Sequence, residues 1–172
     1  MRVKFAASLV ALLVVAATAA AQGAGQGKVT MSDFGGTWVL DAAKSEGLPQ
    51  GVEETMTVKQ EKDKFAVESK MKSPRGERAM NMDFAADDKE GAFTIRMGPN
   101  ELTGKRTAKW SADGSALEVT ETADIPTPDG GTASVKTWRK WTLSADGKTL
   151  TAEETRTGPR GEQKMKRVYT KQ

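Results

Sequence analysis

The chain has 172 residues, with 26 basic and 23 acidic side chains, no cysteine and no histidine. Those two absences exclude a disulfide framework, thiolate or imidazole metal sites, cysteine nucleophiles and Ser-His-Asp triads. Catalysis would have to rest on carboxylates, Lys, Tyr or Arg, and the length beyond any leader suits one domain with one core.

In chain order, residues 1–21 have the three parts of a secretory signal peptide. Arg2 and Lys4 form a charged start, Phe5 to Ala17 an apolar run, and Ala19, Ala20 and Ala21 a small-residue cleavage site before Gln22. The apolar run is shorter than the ~18–20 residues a membrane span needs. With no cysteine available, lipid attachment at an N-terminal Cys is excluded. The expected product is periplasmic or secreted, with no integral membrane segment. Its leader holds two basic and no acidic residues, so the mature chain carries 24 basic against 23 acidic groups, and the apparent basicity belongs to the leader. No basic stripe interleaved with aromatics remains to suggest nucleic acid.

Residues 22–32 are rich in Gly, Gln and Ala and read as a flexible leader to a single domain over 33–172. From Asp33 onward the pattern has period two, with turn signals every eight to twelve residues, which predicts an all-β fold. Ten candidate strands cover 35–40, 53–60, 64–72, 77–85, 92–97, 104–111, 115–123, 133–144, 148–157 and 163–171. Phe65, Val67 and Met71 alternate with Lys64, Glu68, Lys70 and Lys72, while Met80, Met82 and Phe84, and then Phe93, Ile95 and Met97, alternate with polar residues. Such alternation means one apolar and one wet face.

Short turns connect nearly all of these strands, and parallel crossovers need a dozen or more residues. The prediction is an up-and-down antiparallel meander of eight to ten strands that closes into a barrel to bury its edges. Parity then puts the turns around Glu61, Asp87, Asp113 and Asp146 at one acidic end, and those bearing Arg75, Arg78 and Arg160 at the other. Two echoes, Ser-Ala-Asp-Gly at 111–114 and 144–147 and Pro-Arg-Gly-Glu at 74–77 and 159–162, read as reused turn chemistry or as duplicated binding loops.

The face marked as inner by apolar residues also carries Arg106, Glu121, Arg139, Glu154, Arg156 and Arg167. Buried charges are unfavourable unless paired or hydrated. Two readings follow: a wet cavity whose cations hold an anionic amphiphile, or a self-neutralising ion network. Bulges that flip parity would instead return these groups to solvent.

Two terminal segments carry a family likeness. Phe34-Gly35-Gly36-Thr37-Trp38-Val39-Leu40 opens the domain, and Lys166-Arg167-Val168-Tyr169 lies near its close. An F-x-G-T-W-x-L strand in an all-β chain that finishes on R-x-Y resembles the calycin group, the lipocalins and fatty-acid-binding proteins. The resemblance implies a lipocalin-like barrel with Trp38 plugging its floor and Arg167 packed near that Trp. It also implies that Arg167 and Tyr169 point inward as anion ligands. One departure is visible: Asp41 to Val52 is too short for the two-helix lid of fatty-acid-binding proteins.

The functional expectation is a non-catalytic exported protein that binds a small anionic or amphiphilic ligand in the barrel. Arg139, Arg156, Arg167, Tyr169 and Trp141 are the ligand-binding candidates, with Met80, Met82, Phe93 and Ile95 lining or filling the interior. No cofactor and no metal are expected: Met80-Asn81-Met82 has the spacing of thioether copper carriers, but Met is also ordinary core filler. Glu121 and Glu154 could form a carboxylate pair, yet no nucleophile–base constellation accompanies them. The alternative is a packed envelope structural or protein-interaction module without a small ligand. Trp138, on the opposite parity to Trp141, would then offer an outward contact to a protein partner.

Overall fold

The computed structural model describes residues 29–97, 100–127 and 130–172. The expected signal peptide and most of the leader lie outside the described residues, as do residues 98, 99, 128 and 129 of two expected turns. Ten strands run as β1 (Gly36–Leu40), β2 (Glu53–Glu61), β3 (Lys64–Ser73), β4 (Gly76–Ala85), β5 (Glu90–Met97), β6 (Asn100–Trp110), β7 (Ala116–Pro126), β8 (Thr132–Leu143), β9 (Thr149–Gly158) and β10 (Gly161–Lys171). They form one antiparallel sheet in the order β4-β3-β2-β1-β10-β9-β8-β7-β6-β5, the expected up-and-down meander. The largest shift is at β6, which begins at Asn100, so that Gly104 lies within the strand. A Cβ there would come within 2.8 Å of the Phe93 ring, and the glycine lets that ring cross the neighbouring strand.

The barrel closes where the two terminal strands meet, with Trp38 opposite Lys171 and Leu40 opposite Tyr169. It stays unpaired at one seam. β4 and β5 are neighbours in sequence but stand at the two ends of the strand order. The intervening backbone bonds elsewhere: Ala86 N donates to Asp63 O at 2.7 Å and Asp88 N to Ala108 O at 3.0 Å. Those bonds tie the connection to the ends of β3 and β6 instead of to a tight β4–β5 hairpin.

One end of the barrel is plugged. Phe34 and Trp38 have no solvent exposure, and with Phe65, Leu117, Trp141 and Leu150 they form the core. Phe34 stacks on Trp110 at 5.8 Å and meets Trp141 edge-on at 5.9 Å, both favourable ring geometries. The segment before β1 straps this floor: Ser32 N donates to Gly114 O at 2.9 Å, and Gln60 Oε1 accepts from Phe34 N at 2.8 Å. The link between β1 and β2 holds no helix, as its length predicts. It follows β10 outward from the closure, with Ser45 Oγ accepting from Val168 N at 3.0 Å and Glu46 bridging Lys166. Gly47, at φ 73°, passes so close that a Cβ would lie 2.7 Å from the Lys164 carbonyl oxygen.

Candidate functional site

Between the aromatic floor and the opposite mouth, the interior is lined with charge. Strand register creates the arrangement: Arg106 on β6 stands directly across from Glu121 on β7, and Arg139 on β8 directly across from Glu154 on β9. Diagonal neighbours on the same face link these pairs into a chain, since long side chains reach across the ~7–8 Å between such positions. Arg106 Nε donates to Glu121 Oε1 at 2.7 Å, Arg139 Nη1 to Glu121 Oε2 at 2.7 Å, and Arg139 Nε to Glu154 Oε2 at 2.8 Å. Arg167 Nη1 continues to the same Glu154 oxygen at 3.2 Å. The chain ends on Glu54, which accepts from Tyr169 Oη at 3.1 Å and from Ser69 Oγ at 2.6 Å.

Three guanidinium groups therefore alternate with three carboxylates, and the ring sums to zero charge. Burial acts to raise the Glu121 carboxyl, but Arg139 and Arg106 outweigh it and hold the group below its ordinary range. Glu154 behaves alike, with burial overcome by Arg139 and Arg167. Burial opposes the Arg139 charge, yet Glu154 and Glu121 together push its proton affinity up. Both glutamates are thus held ionised, with Arg139 wedged between them, and neither is poised as a general acid. Tyr169 is displaced upward, first by burial and then by the Glu54 charge.

The ring is not fully satisfied. Arg106 Nη2 lies 2.6 Å from Glu121 Oε1 without a directed hydrogen bond, since Nε already occupies that oxygen. Arg167 Nε stands 3.7 Å from Glu54 Oε2, an ion-pair distance beyond hydrogen-bond reach, and is buried without an acceptor among the described residues. Arg106 also spans the unpaired seam, with Nη1 donating to Asp83 O on β4 at 3.2 Å and its plane 4.7 Å from the Phe93 ring centre on β5.

The structure brings Arg139, Arg167 and Tyr169 together, as the sequence reading groups them. It separates the other two candidates. Trp141 lies in the packed floor against Phe34, and Arg156 stands exposed at the mouth, away from the ring. The cation over Trp38 is Lys171, at 5.2 Å, and not Arg167. Register is the reason: Trp38 faces Lys171, and Arg167 lies four residues earlier, ~13 Å along the strand at ~3.3 Å per residue. Met80 and Met82 belong to the hydrophobic cluster, Phe93 is buried and Ile95 half-buried. Glu54 and Ser69 are ring members that sequence reasoning missed. Parity held the signal, because Glu54 shares a face with Met56 and Val58, and Ser69 with Val67 and Met71.

No family profile matches the chain, and no curated protein matches it in sequence. Among solved structures, it is similar to the zebrafish ileal bile acid-binding protein crystallised with cholic acid. The TM-score is 0.51 at 18% identity, over 82% of this chain and 100% of that one. The fold is calycin-like. At that identity the likeness is one of fold alone.

Proposed function

We propose that this protein is an exported, non-catalytic barrel that holds a small amphiphilic or anionic molecule between its charged ring and its mouth. The observation that carries the reading is Arg167 Nε, a buried guanidinium N–H with no acceptor among the described residues. Buried donors ordinarily have a partner, and a ligand oxygen placed there would supply one. The ring is electrically balanced, so affinity would come from oriented donors rather than net positive charge. Arg139 and Arg167 would hold the polar group, Tyr169 would keep Glu54 in place beneath it, and Trp141 would support the site from the floor. The structural neighbour's cholic acid, a rigid amphiphile, supports the same class of cargo. Export rests on residues 1–21, and N-terminal sequencing of the native protein should begin at Gln22.

The test is displacement of a fluorescent fatty-acid probe, with native mass spectrometry of the purified protein. Saturable uptake that falls about tenfold in Arg167→Gln, with the fold retained, is expected for loss of one charge-assisted contact. Absence of both uptake and bound small molecules would overturn the proposal. It would favour a second reading, a packed envelope or protein-interaction module, for which the balanced ring and the packed floor argue.

A further inference from the structure

The mouth opposite the floor holds a second feature, outward of the charged ring. A pocket of about 290 Å³ opens between the outer ends of β7, β8, β9 and β10. That is at the lower edge of the ~300–1,000 Å³ range of small-molecule sites. Ile125, Pro126, Val135 and Pro159 give it apolar walls, and Arg156, Arg160 and Gln163 supply donors. Among the described residues, every lining residue is neutral or cationic.

The contrast with the ring is chemical. Arg106, Arg139 and Arg167 each face a carboxylate within 3.2 Å. Arg156 and Arg160 have no ion pair among the described residues, yet both line the same small concavity. Two cations that line one concavity favour an anion within it. The Pro159-Arg160 turn helps by setting the loop: proline fixes φ early, and Gly161, at φ 89°, completes the hairpin in a conformation other residues resist. The sequence echo at Pro74-Arg75-Gly76-Glu77 has the same turn, and the pocket beside it includes Glu53, Glu54 and Glu77 with its cations. Only the β9–β10 copy combines the turn arginine with apolar walls and uncompensated charge.

We infer that the rim pocket formed by Arg156, Arg160, Ile125 and Val135 is an anion-binding site for a small aryl or alkyl carboxylate or sulfonate. The guanidinium groups take the anionic oxygens, and the apolar walls take the hydrocarbon. The site lies at the same mouth, outward of the ring, and uses Arg156 and Arg160 where the barrel proposal uses Arg139 and Arg167.

Titration of the full chain with naphthalene-2-sulfonate, followed by amide chemical shifts, tests it. Saturable shifts should centre on residues 125–127, 135 and 156–163. Arg156→Gln and Arg160→Gln should each weaken binding about tenfold, the loss expected for one charge-assisted contact. The uncharged naphthalene-2-sulfonamide should bind far more weakly, and Arg167→Gln should leave the titration unchanged. Fatty-acid probe uptake should be unaffected in the Arg156→Gln/Arg160→Gln double variant, which separates failure here from failure of the barrel reading. Sulfonate affinity retained within about twofold in that double variant, or shifts centred on ring residues instead, would overturn the inference, as would the absence of saturable shifts.

Discussion

Replacing Arg139 with Met asks how much of the fold depends on the cation at the middle of the charged ring. Among the described ring members, Arg139 alone hydrogen-bonds two carboxylates at once, Glu121 at 2.7 Å and Glu154 at 2.8 Å, and its side chain is 19% exposed. Removing one partner of a buried ion pair typically costs ~3–5 kcal/mol, because the remaining charge is left uncompensated. Here each glutamate keeps a second guanidinium, Arg106 for Glu121 and Arg167 for Glu154, and Met preserves most of the side-chain volume. The expected loss is therefore at the low end, ~3 kcal/mol at pH 7, or roughly 10 °C in Tm for a domain of this size. The loss should depend on pH with a defined sign. Both carboxyls sit below their ordinary range in the folded protein, so they contribute stability above the unfolded Glu value of ~4.3 and lose it as pH falls through their lower folded values. In the variant, burial gains on the weakened attraction and their proton affinity rises. The gap between the two proteins should then narrow as pH drops from 7 toward 3.5. Urea unfolding at both pH values, followed by tryptophan fluorescence, measures it. Arg139→Lys should fall between the two, since one ammonium cannot fork to two carboxylates. A difference under ~0.5 kcal/mol at pH 7, or one that stays constant down to pH 3.5, would refute the buried-network argument.

Three further outcomes are expected. Tyr169 is the chain's one tyrosine, so absorbance at 295 nm should show no phenolate in the folded protein where an exposed tyrosine would titrate. Stability should fall as pH rises past ~10, the unfolded value, and phenolate appearing with ordinary titration in the native state would contradict the buried contact with Glu54. Phe34→Ala should cost ~3–5 kcal/mol and shift the tryptophan emission, because the ring has no exposure and touches both Trp110 and Trp141; a loss below ~1 kcal/mol in thermal unfolding would contradict its role as plug. Arg106→Lys keeps the charge but cannot at once bond Glu121, reach Asp83 O and lie over Phe93. Hydrogen exchange should speed up in β4 and β5 along the unpaired seam and stay slow in β8 and β9, and uniform protection would show that Arg106 does not hold the seam.

Much of the architecture was legible from residues alone, because alternation and turn chemistry act locally. The ten expected strands match the observed ones to within a few residues, and the charges on the inner face were read from parity. Position within the barrel was not legible. Trp38 and Arg167 were paired by likeness, but the register between β1 and β10 sets Lys171 over the indole and sends Arg167 to Glu54 and Glu154. Arg156 has the same parity as Glu154, yet two residues of strand carry it from the ring to the rim. Parity fixes the face a side chain takes and says nothing of its depth.

The sequence by itself determined an antiparallel meander with a charged inner face, since period-two patterning and short turns leave the backbone few other ways to hydrogen-bond. The tertiary structure alone decided which charges neutralise one another. Cross-strand register is a long-range quantity: it placed Arg106 against Glu121 and Arg139 against Glu154, and, among the described residues, left Arg167 Nε without an acceptor and Arg156 and Arg160 lining a pocket without a carboxylate. It also left β4 and β5 unpaired, with the chain between them hydrogen-bonded to Asp63 before β3 and to Ala108 on β6.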